Sequence, residues 1–582
     1  MEFLDNFTFW EEFWAIVVFI FIAWYVHDKY VQREHQLLVN YPIIGRLRYL
    51  FEEIREPFRQ YFGDEKFYES KDKLDWVYKA AHDVPNYASF SPTQPLPKPK
   101  FMIRHANIVL NDDEVDDKFE VMFGEKRKKP YIAKSILGRS AMSDGSISPE
   151  GTRAFVQGAY LGHFPINSGE GGVTSNFFVT HIKYDKSYMT VVDSNYFNKR
   201  VKEVFKFFFN GAVAADVYRK LVFKNDPEAE TYILDMDNHH FYRPNWDAPL
   251  EAFPTEVPED MPDIIFQISS GLYGARDKEG KFNPERYQKV MKFCRMTEIK
   301  IAQGAKQTGG KLTGSKVTPA IAYYRNVEPY KDVFSPNRFP YANTIEELFD
   351  FIGELQKLSD KPVGVKIVIS DLENIEPYAK EIKKRIDAGN DAYPDYIALD
   401  SGSGGSATAP IEMMERVGLN IRDSVYLVNK ILTQYGVRDK VRLVASGKIL
   451  TPDDIIITMS LGADFIQIAR GFMMSAGCIR ARYCSGTNGH DCPVGLATQN
   501  KKKRKNYFVF KQAKKVANYH KNLLKNVRGL LAIMGLKNIN QLNKHRLLFV
   551  DKDSRIHDNI DKVFKRQLDL GKDLEDEYHE FR

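Results

Sequence analysis

Short apolar runs alternate with amphipathic segments along most of the chain. Several of the runs are followed by helical patterns, such as Pro149 to Leu161 and Pro284 to Cys294. Strands that alternate with helices favour an α/β fold whose parallel strands close into a (β/α)₈ TIM barrel. Chemistry is then expected on the loops that follow the strands. Eight runs are predicted as strands, at 139–143, 162–167, 263–269, 298–303, 363–369, 396–400, 441–446 and 465–469.

Three regions depart from this alternation. Residues 173–262 are rich in aromatic and charged residues, and we interpret them as an insertion after strand 2. Residues 35–129 are predicted to form a helical and linker region, and residues 501–582 a helical C-terminal tail with a helix from Tyr507 to about Met534. The barrel domain is therefore expected at 130–500.

The N-terminus carries the longest apolar stretch. Phe13 to Val26 is uncharged over 14 residues and reaches about 20 residues only if Glu11 and Glu12 are included, about the length needed to span a bilayer. The acidic start and the absence of a small-residue cleavage site do not fit a signal peptide. Residues 1–34 are expected to form a single-pass membrane anchor, with the catalytic domain in the cytoplasm because basic residues follow the run. A buried or partner-binding helix is the alternative.

Charge and cysteine content narrow the function. A net charge of +6 over 582 residues predicts no nucleic-acid partner. The dense basic run Lys501 to Lys505 reads either as a solvated loop or as a docking patch for an acidic redox protein. Four cysteines in so long a chain do not form a disulfide framework. Cys294 stands apart and is expected to be a buried apolar residue.

Glycines recur at the ends of three neighbouring predicted strands. Ser401 to Pro410 (SGSGGSATAP) follows strand 6, and strands 7 and 8 lead to Gly447 and Gly471. Glycine lets backbone N–H groups approach an anion closely, so this pattern predicts a phosphate site. A merely flexible Gly/Ser loop is the alternative.

Three cysteines follow this glycine pattern. Cys478, Cys484 and Cys492 offer three soft thiolate ligands, which suits a three-iron cluster. Zinc held with His490 and structural cysteines without metal are the alternatives.

Two groups of cations are candidates for anion binding. The first is Lys366, which lies in an apolar strand, where a buried lysine needs an anionic partner such as the flavin N1–C2 edge. A lysine whose ammonium reaches solvent at the strand end is the alternative. The second group surrounds a glycine-rich loop and consists of Lys300, Lys306, Lys311 and Arg325. It suits a dicarboxylate substrate, and a solvated basic loop is the alternative.

Several blocks of sequence resemble the FMN-binding synthase domain of glutamate synthases, in particular the stand-alone members of that family. The resemblance covers roughly residues 130–535 apart from the insertion. The matching blocks are AMSDGSIS at 141–148, NSGEGG at 167–172, QISSGLYGARD at 267–277, IKIAQGAK at 299–306, ASGK at 445–448, and the cysteine segment at 478–499.

The resemblance implies an oxidoreductase that acts on CH–NH₂ donors, with FMN and a [3Fe-4S] iron–sulfur cluster as cofactors. Ammonia and 2-oxoglutarate would form 2-iminoglutarate, and its reduction would give L-glutamate. Carried over by motif, the residues lining the flavin would be Met142, Ser143, Gln267, Gln303 and Lys366. Those holding its phosphate would be Gly404, Gly405, Gly447, Arg470 and Gly471.

The resemblance also assigns the substrate and cluster residues. Lys306 and Arg325 would bind the carboxylates of 2-oxoglutarate, with Lys311 beside them where the family usually has Gln. Glu170 would lie in the loop that gates ammonia, and we expect Glu170, Lys306 and Lys366 to be catalytic. The cluster ligands would be Cys478, Cys484 and Cys492.

The chain departs from the family pattern in ways that bear on its partners. Seven residues separate Cys484 from Cys492, a longer spacer than is usual in the family. The first cysteine is Cys294, so no N-terminal-nucleophile glutaminase is expected, and ammonia would come from solution or a partner. No strand-linked GxGxxG motif occurs, so electrons would come from ferredoxin, a reductase subunit or a membrane donor.

Two other functions are compatible with the sequence. One is a flavin oxidoreductase acting on another 2-oxo or imino acid. The other is a non-enzymatic, membrane-tethered scaffold or electron-relay protein built on a barrel that has lost its activity. An oligomer is compatible with each of these functions.

Overall fold

The protein is described by a computed structural model in which the chain divides into two compact units, Met1–Glu69 and Ser70–Arg582. Part of the predicted insertion, including the aromatic run at 205–209, and Lys306 lie outside the described residues. The structure describes residues 9–32, 36–47, 50–51, 54, 58, 70–87, 90–92, 96–178, 189–192, 204, 217, 221, 223, 232–235, 240–244, 254, 256–304, 310–410, 412–486, 491–505 and 507–568.

The N-terminal unit contains a long apolar helix. It runs from Phe9 to Val26 and continues as a π-helix, His27–Val31, before the short helix Gln36–Asn40. Within the described residues one helix is long and apolar enough to cross a membrane, Glu12–Val31, and 6% of it is buried.

The second unit is built on a closed barrel of eight parallel strands, as predicted. Each strand pairs with its neighbours in chain order, and the eighth pairs with the first. The first strand begins two residues before the predicted run. The strands are β1 Leu137–Arg139, β2 Ile166–Asn167, β3 Ile264–Ile268, β4 Met296–Lys300, β5 Val363–Ile367, β6 Tyr396–Asp400, β7 Arg442–Ser446 and β8 Phe465–Ile468.

Helices follow the strands and begin with residues that satisfy their first N–H groups. The hydroxyl of Ser148 accepts a hydrogen bond from Gly151 N at 3.0 Å, and Pro149 occupies the first turn, where its missing donor costs nothing. Asn283, Thr344 and Asn420 cap in the same way. The main helices are α1 Pro149–Gly162, α2 Pro284–Met291, α3 Ile345–Ser359, α4 Glu376–Asp387, α5 Ile421–Gln434, α6 Pro452–Ser460, α7 Arg470–Ser475 and α8 Val509–Ile533.

Smaller elements surround the barrel. The predicted linker ends in a strand, Lys100–Ile103, which pairs antiparallel with Leu547–Val550, a strand of the tail beyond its predicted helix. The described part of the insertion includes an antiparallel sheet of three strands. The remaining strands are Val121–Phe123, Tyr131–Ala133, Met189–Val192, Ile233–Asp235, His240–Pro244, Lys311–Leu312, Val333–Phe334 and Ile556–His557, and the shorter helices are Lys71–Ala81, Pro319–Arg325, Lys501–Arg504 and Ile560–Gln567.

Helix α8, which confirms the predicted C-terminal helix, packs on the side of the barrel next to the cysteine segment. A Cβ added to Gly158 of α1 would lie 2.5 Å from Cγ1 of Val516, so the two helices approach closely because that residue is glycine. The interior faces of the strands are buried, as is Cys294, which confirms its prediction as a core residue.

Candidate active site at the barrel mouth

A buried carboxylate lies inside the barrel on β4. Glu298 Oε1 accepts hydrogen bonds from Gln267 Nε2 at 2.6 Å and from Asn167 Nδ2 at 2.8 Å, and its Oε2 accepts one from Gln467 Nε2 at 3.3 Å. These side chains come from β2, β3, β4 and β8, and all are buried. A buried carboxylate needs such donors. These four side chains therefore form a hydrogen-bonded polar layer inside the barrel, which we call the polar floor, beneath the loops.

Lys366 lies on β5 beside this floor. Its Nζ is 3.4 Å from Asp400 Oδ2, and that same carboxylate oxygen accepts a hydrogen bond from Gly304 N at 3.0 Å. Burial opposes the charge of Lys366, but the carboxylates of Asp400 and Glu298 outweigh it and raise the pKa of the ammonium. The predicted flavin lysine is therefore a buried cation held by strand ends β5 and β6.

The predicted phosphate loops meet in a tight backbone contact. A Cβ on Gly304 would lie 1.7 Å from Ser401 O, and a Cβ on Gly447 would lie 2.2 Å from Ser401 Cβ. Gly447 also has a φ of +143°, which side-chain-bearing residues rarely adopt. Gly404 N closes the turn by donating to Ser401 O at 2.8 Å. The glycines thus bring the loops after β4, β6 and β7 together, and the phosphate role of the loops stays a prediction.

Arg470 and Gly471, at the end of β8, occupy different surroundings. A Cβ on Gly405 would lie 2.8 Å from Arg470 Nη2, so this guanidinium is against the predicted phosphate loop. A Cβ on Gly471 would lie 2.0 Å from Tyr519 Oη of α8. Gly471 therefore has a packing role whether or not it also faces a phosphate.

The loop after β1 contacts the loop after β2. Gly169 has a φ of +68°, and a Cβ there would lie 2.5 Å from Ser143 N. Ser143 is buried, and Met142 is half-buried and packed against the core. The guanidinium of Arg139 is fully buried below and donates to Met142 O at 3.2 Å and to Asn167 O at 2.8 Å. Arg139 therefore joins the two loops that carry the predicted flavin and ammonia residues.

Glu170 forms an ion pair with a lysine of β4. Lys300 Nζ donates to Glu170 Oε2 at 2.8 Å, and both side chains are mostly buried. Burial alone would raise the pKa of Glu170, but the charge and hydrogen bond of Lys300, with Arg325 nearby, lower it to about 2. Glu170 is therefore a carboxylate at neutral pH.

Arg325 is buried beside the same loops. Its Nη2 donates to Asp144 O at 3.3 Å and to Ser143 Oγ at 3.4 Å, and its guanidinium lies over the ring of Tyr273. Lys311 is instead at the surface, where Nζ pairs with Asp332 Oδ2 at 3.0 Å. Arg325 therefore lies near Glu170 and Ser143. Lys311 lies in a hairpin at the surface.

The cysteine segment folds around a buried lysine. Lys316 Nζ donates to Cys484 O at 2.5 Å and to Ala497 O at 3.3 Å, and it also reaches Ser146 O at 3.5 Å. Burial raises the pKa of Cys478 to about 12, with a smaller contribution from the Cys484 and Cys492 thiols. Among the described residues no three His, Cys, Asp or Glu side chains form a metal-binding group, and His490 lies outside them.

The fit of these residues to the two implied cofactors differs. At the barrel mouth, Gln467 Oε1 and Arg325 Nε are buried without a hydrogen-bond partner in the described part of the chain. Together with the glycine cradle and Lys366, these atoms fit a polar ligand such as a flavin. The thiols have the donor chemistry of an iron–sulfur cluster, although the described residues form no metal-binding group.

Two residues of the site, Glu298 and Asp400, were not singled out from the sequence, whereas Lys300 was already grouped with the candidate substrate cations. Glu298, Lys300 and Asp400 all lie on barrel strands. Glu298 and Lys300 are two residues apart on β4, which places both side chains on one face. That alternation of charged residues in an otherwise buried strand was the available signal, and Asp400 is the last residue before the glycine loop.

Comparison with known proteins identifies relatives over most of the chain. The conserved region in glutamate synthase matches residues 81–537. Glutamate synthase large subunit-like protein YerD of Bacillus subtilis is 29% identical, over 94% of this chain and 96% of its own. Archaeal-type glutamate synthase (NADPH) of Thermotoga maritima is 30% identical over 51% of this chain and 54% of its own. The large chain of glutamate synthase (NADPH) from Azospirillum brasilense is 30% identical, but only 18% of its length is covered.

The solved structures show a distant similarity. A sulfite-bound variant of flavocytochrome b2 aligns over 91% of this chain and 90% of its own, with 12% sequence identity and a TM-score of 0.39. A score at this level carries no argument about fold or ligand, so the barrel assignment rests on the strand pairing itself.

Proposed function

The chain belongs to the glutamate synthase family, and from this premise we propose that it is a flavin-dependent oxidoreductase that makes L-glutamate from 2-oxoglutarate and ammonia. The observation that carries the proposal is the cradle of Gly304, Ser401 and Gly447, which meet at the ends of β4, β6 and β7 beside a buried lysine. FMN would supply the hydride that reduces 2-iminoglutarate.

The barrel mouth offers residues for each part of an FMN molecule. The glycine loops and Arg470 would hold the phosphate, because backbone N–H groups and a guanidinium suit a dianion. Lys366, kept protonated by Asp400, would stabilise negative charge at the flavin ring. Gln267 is oriented by Glu298, while Met142 and Gln303 are half-buried at the mouth, where the ring would lie.

The substrate end would be formed by Arg325, Lys300 and Glu170. The buried guanidinium of Arg325 would bind a carboxylate of 2-oxoglutarate, and Lys306 remains a predicted second carboxylate ligand. Because the Glu170 carboxyl is ionised at neutral pH, it holds Lys300 and an incoming ammonium ion rather than donating a proton. Lys311 remains a predicted substrate residue, and its Nζ pairs with Asp332 at the surface.

Electrons would come from an external donor, a ferredoxin or a reductase subunit. Cys478, Cys484 and Cys492 are proposed as ligands of an iron–sulfur cluster on the basis of their soft thiolate chemistry and the family resemblance. Anaerobic EPR with iron and sulfide analysis would detect it, and serine at Cys484 should then remove it.

The proposal is tested by the spectrum and by the reaction. Purified protein should show flavin absorption bands and, with a chemical reductant, should form glutamate from 2-oxoglutarate and ammonium. The Arg325→Gln variant should raise the KM for 2-oxoglutarate by about 10-fold or more, since a buried charged hydrogen bond is lost. Absence of flavin would refute the enzyme proposal, and turnover of a different 2-oxo acid in preference to 2-oxoglutarate would establish the alternative substrate. A scaffold would show neither flavin nor turnover.

We also propose that the N-terminal helix anchors the protein in a membrane with the barrel in the cytoplasm. The support is the length and exposure of Glu12–Val31. Resistance of the full chain to carbonate extraction, with the barrel cleaved by protease only in inverted vesicles, would agree with this orientation. Release by carbonate would contradict it.

A further inference from the structure

Positive charge is concentrated in one part of the sequence. Residues 492–550 contain 14 Lys and Arg and no Asp or Glu, whereas the other 523 residues hold 69 Lys and Arg against 77 Asp and Glu. The net charge of +6 therefore conceals a strongly basic segment on a chain that is otherwise acidic. Such a segregation of charge creates a local potential that selects binding partners.

The lysines of this segment lie on exposed surfaces of two helices. Helix α8 buries one face, which includes Ala513, Val516 and Leu523, against the barrel side of the molecule. The α-helical period places Lys511, Lys514, Lys515, Lys521 and Lys525 together on its other face. The short helix Lys501–Arg504 precedes α8, and Lys502, Lys503 and Lys505 are exposed there.

Six of these residues are available for a partner, and we call them the lysine face. None forms an ion pair with an acidic side chain within the described part of the chain. Arg504, by contrast, is buried and pairs with Glu150, and Lys521 pairs with Asp83. The lysine face consists of Lys502, Lys503, Lys505, Lys511, Lys514 and Lys515.

The lysine face directly adjoins the cysteine segment. A Cβ on Gly495 would lie 2.8 Å from Lys503 O, and a Cβ on Gly477 would lie 3.3 Å from Gln512 Nε2. Tyr507 Oη, between the two helices, donates to Ala476 O at 2.6 Å. A protein bound to the lysine face would therefore lie over the loop that carries Cys478 and Cys492.

Two exposed aromatic side chains stand among the lysines. Phe508 and Phe510 are 43% and 41% exposed, and the ammonium of Lys514 lies 4.4 Å from the ring centroid of Phe510. Apolar anchors surrounded by charged groups are the usual composition of a protein–protein docking site, in which the aromatics supply affinity and the charges steer approach.

We propose that the lysine face, with Phe508 and Phe510, is the docking site of an acidic electron-donor protein, which would lie beside the cysteine segment when bound. The inference rests on the proposed function for the need of a donor, and on charge complementarity and contact with the cysteine segment for its location. An anionic membrane would also attract lysines, but the position over the cysteine segment favours a redox protein.

A reduced plant-type [2Fe-2S] ferredoxin, which is acidic, serves as the probe. The full-length variant K502E/K511E/K514E is compared with K281E/K289E/K357E, which makes the same charge change near α2 and α3, across the barrel from α8. Affinity for ferredoxin is measured by calorimetry at several salt concentrations, and glutamate formation is measured with either ferredoxin or dithionite as reductant.

We expect the first variant to weaken ferredoxin binding by about 10-fold or more and to reduce the salt dependence of binding, while the dithionite-driven rate stays within about 2-fold of wild type. The control variant should bind as wild type does. Equal binding by all three proteins would overturn the proposal. Loss of dithionite-driven turnover in the wild type would instead refute the proposed function, while the calorimetric comparison would still decide whether the lysine face binds the donor.

Carbodiimide cross-linking identifies the occupant directly. Cross-links between Lys502, Lys511 or Lys514 and ferredoxin carboxylates would support the proposal. Cross-links from these lysines to the chain's own acidic segment at 569–580 would overturn it. Loss of binding to phosphatidylserine vesicles in the first variant, with ferredoxin binding unchanged, would assign the lysine face to a membrane and overturn it as well.

Discussion

The ammonium of Lys300 donates a 2.8 Å hydrogen bond to the carboxylate of Glu170, which ties strand β4 to the loop after β2. This pair joins the barrel wall to the loop that approaches Arg325. The contact fixes the charge state of Glu170, because a neighbouring ammonium favours the ionised carboxyl.

Replacing Glu170 with Gln should change stability in a pH-dependent way. The pKa of Glu170 is about 2 in the folded chain against an ordinary value of 4.5, so its ionised form stabilises the fold fully above about pH 4.5 and loses that effect as pH falls toward 2. The difference in unfolding free energy between wild type and variant, about 3 kcal/mol, should be constant from pH 5 to 8 and shrink below pH 4.5. Urea unfolding at each pH measures this, and a difference that changes between pH 6 and 8 would contradict it.

Replacing Lys366 with Met should make the bound flavin harder to reduce. The variant leaves Asp400 and Glu298 without the buried cation that offsets them, so the charge that remains is negative. We expect the flavin midpoint potential to fall by tens of millivolts, since 30 mV corresponds to about 1.4 kcal/mol for two electrons. Spectroelectrochemistry measures the potential. The Lys366→Arg variant keeps the positive charge, so its flavin potential should stay close to that of wild type. An unchanged potential in the Met variant would show that Lys366 does not act on the flavin.

Replacing Gly304 with Ala should disrupt the loop cradle. The added methyl would lie 1.7 Å from Ser401 O, so one of the two loops must move. The variant should lose about 2 kcal/mol or more of stability and most of its flavin. Gly529→Ala is the matched control, because nothing lies within 4 Å of its added Cβ in helix α8. That change should stabilise the chain by about 0.5–1 kcal/mol. Similar changes in stability and flavin content in the two variants would contradict a role of Gly304 in the cradle.

Replacing Lys316 with Met should loosen the cysteine segment. The change removes the ammonium that donates to Cys484 O, Ala497 O and Ser146 O. A buried carbonyl oxygen that is left without a hydrogen-bond donor costs up to about 1–3 kcal/mol of stability. We expect the variant to have a lower unfolding temperature and a lower iron content than wild type, whether the two proteins are purified aerobically or anaerobically. The exposed control Lys289→Met should change neither quantity. Wild-type iron content and unfolding temperature in Lys316→Met would show that this lysine does not organise the segment.

The barrel strands were largely predictable because their residues are buried on both faces. A run such as VGVKI at 363–367 has no polar side to expose, so its pattern indicates a core strand wherever it lies. The first strand was displaced in the prediction because Ser140 to Ser143 form the loop that ends it. The strand of the tail, Leu547–Val550, was missed because it is held by pairing with Lys100–Ile103, over 440 residues away in sequence.

The site was predictable where one motif carries the chemistry and not where contacts between elements decide it. Sequence singled out Lys366 and the glycines of the loops, because a lysine in a buried strand and repeated glycines are local signals. The pairing of Lys311 with Asp332 at the surface was not predictable, because the two residues meet only in a hairpin formed by separate strands. Glu298 was overlooked because its importance depends on three amides from other strands.

By itself the sequence determined the succession of strands and helices, the positions of the glycines and cysteines, and the segregation of basic charge into one segment. Those properties depend on residue type and local spacing. Only the tertiary structure decided that Asp400 faces Lys366, that Lys300 pairs with Glu170, and that the lysine face adjoins the cysteine segment. Closure of the barrel decides these contacts, because it brings residues from distant parts of the chain to within a few ångströms.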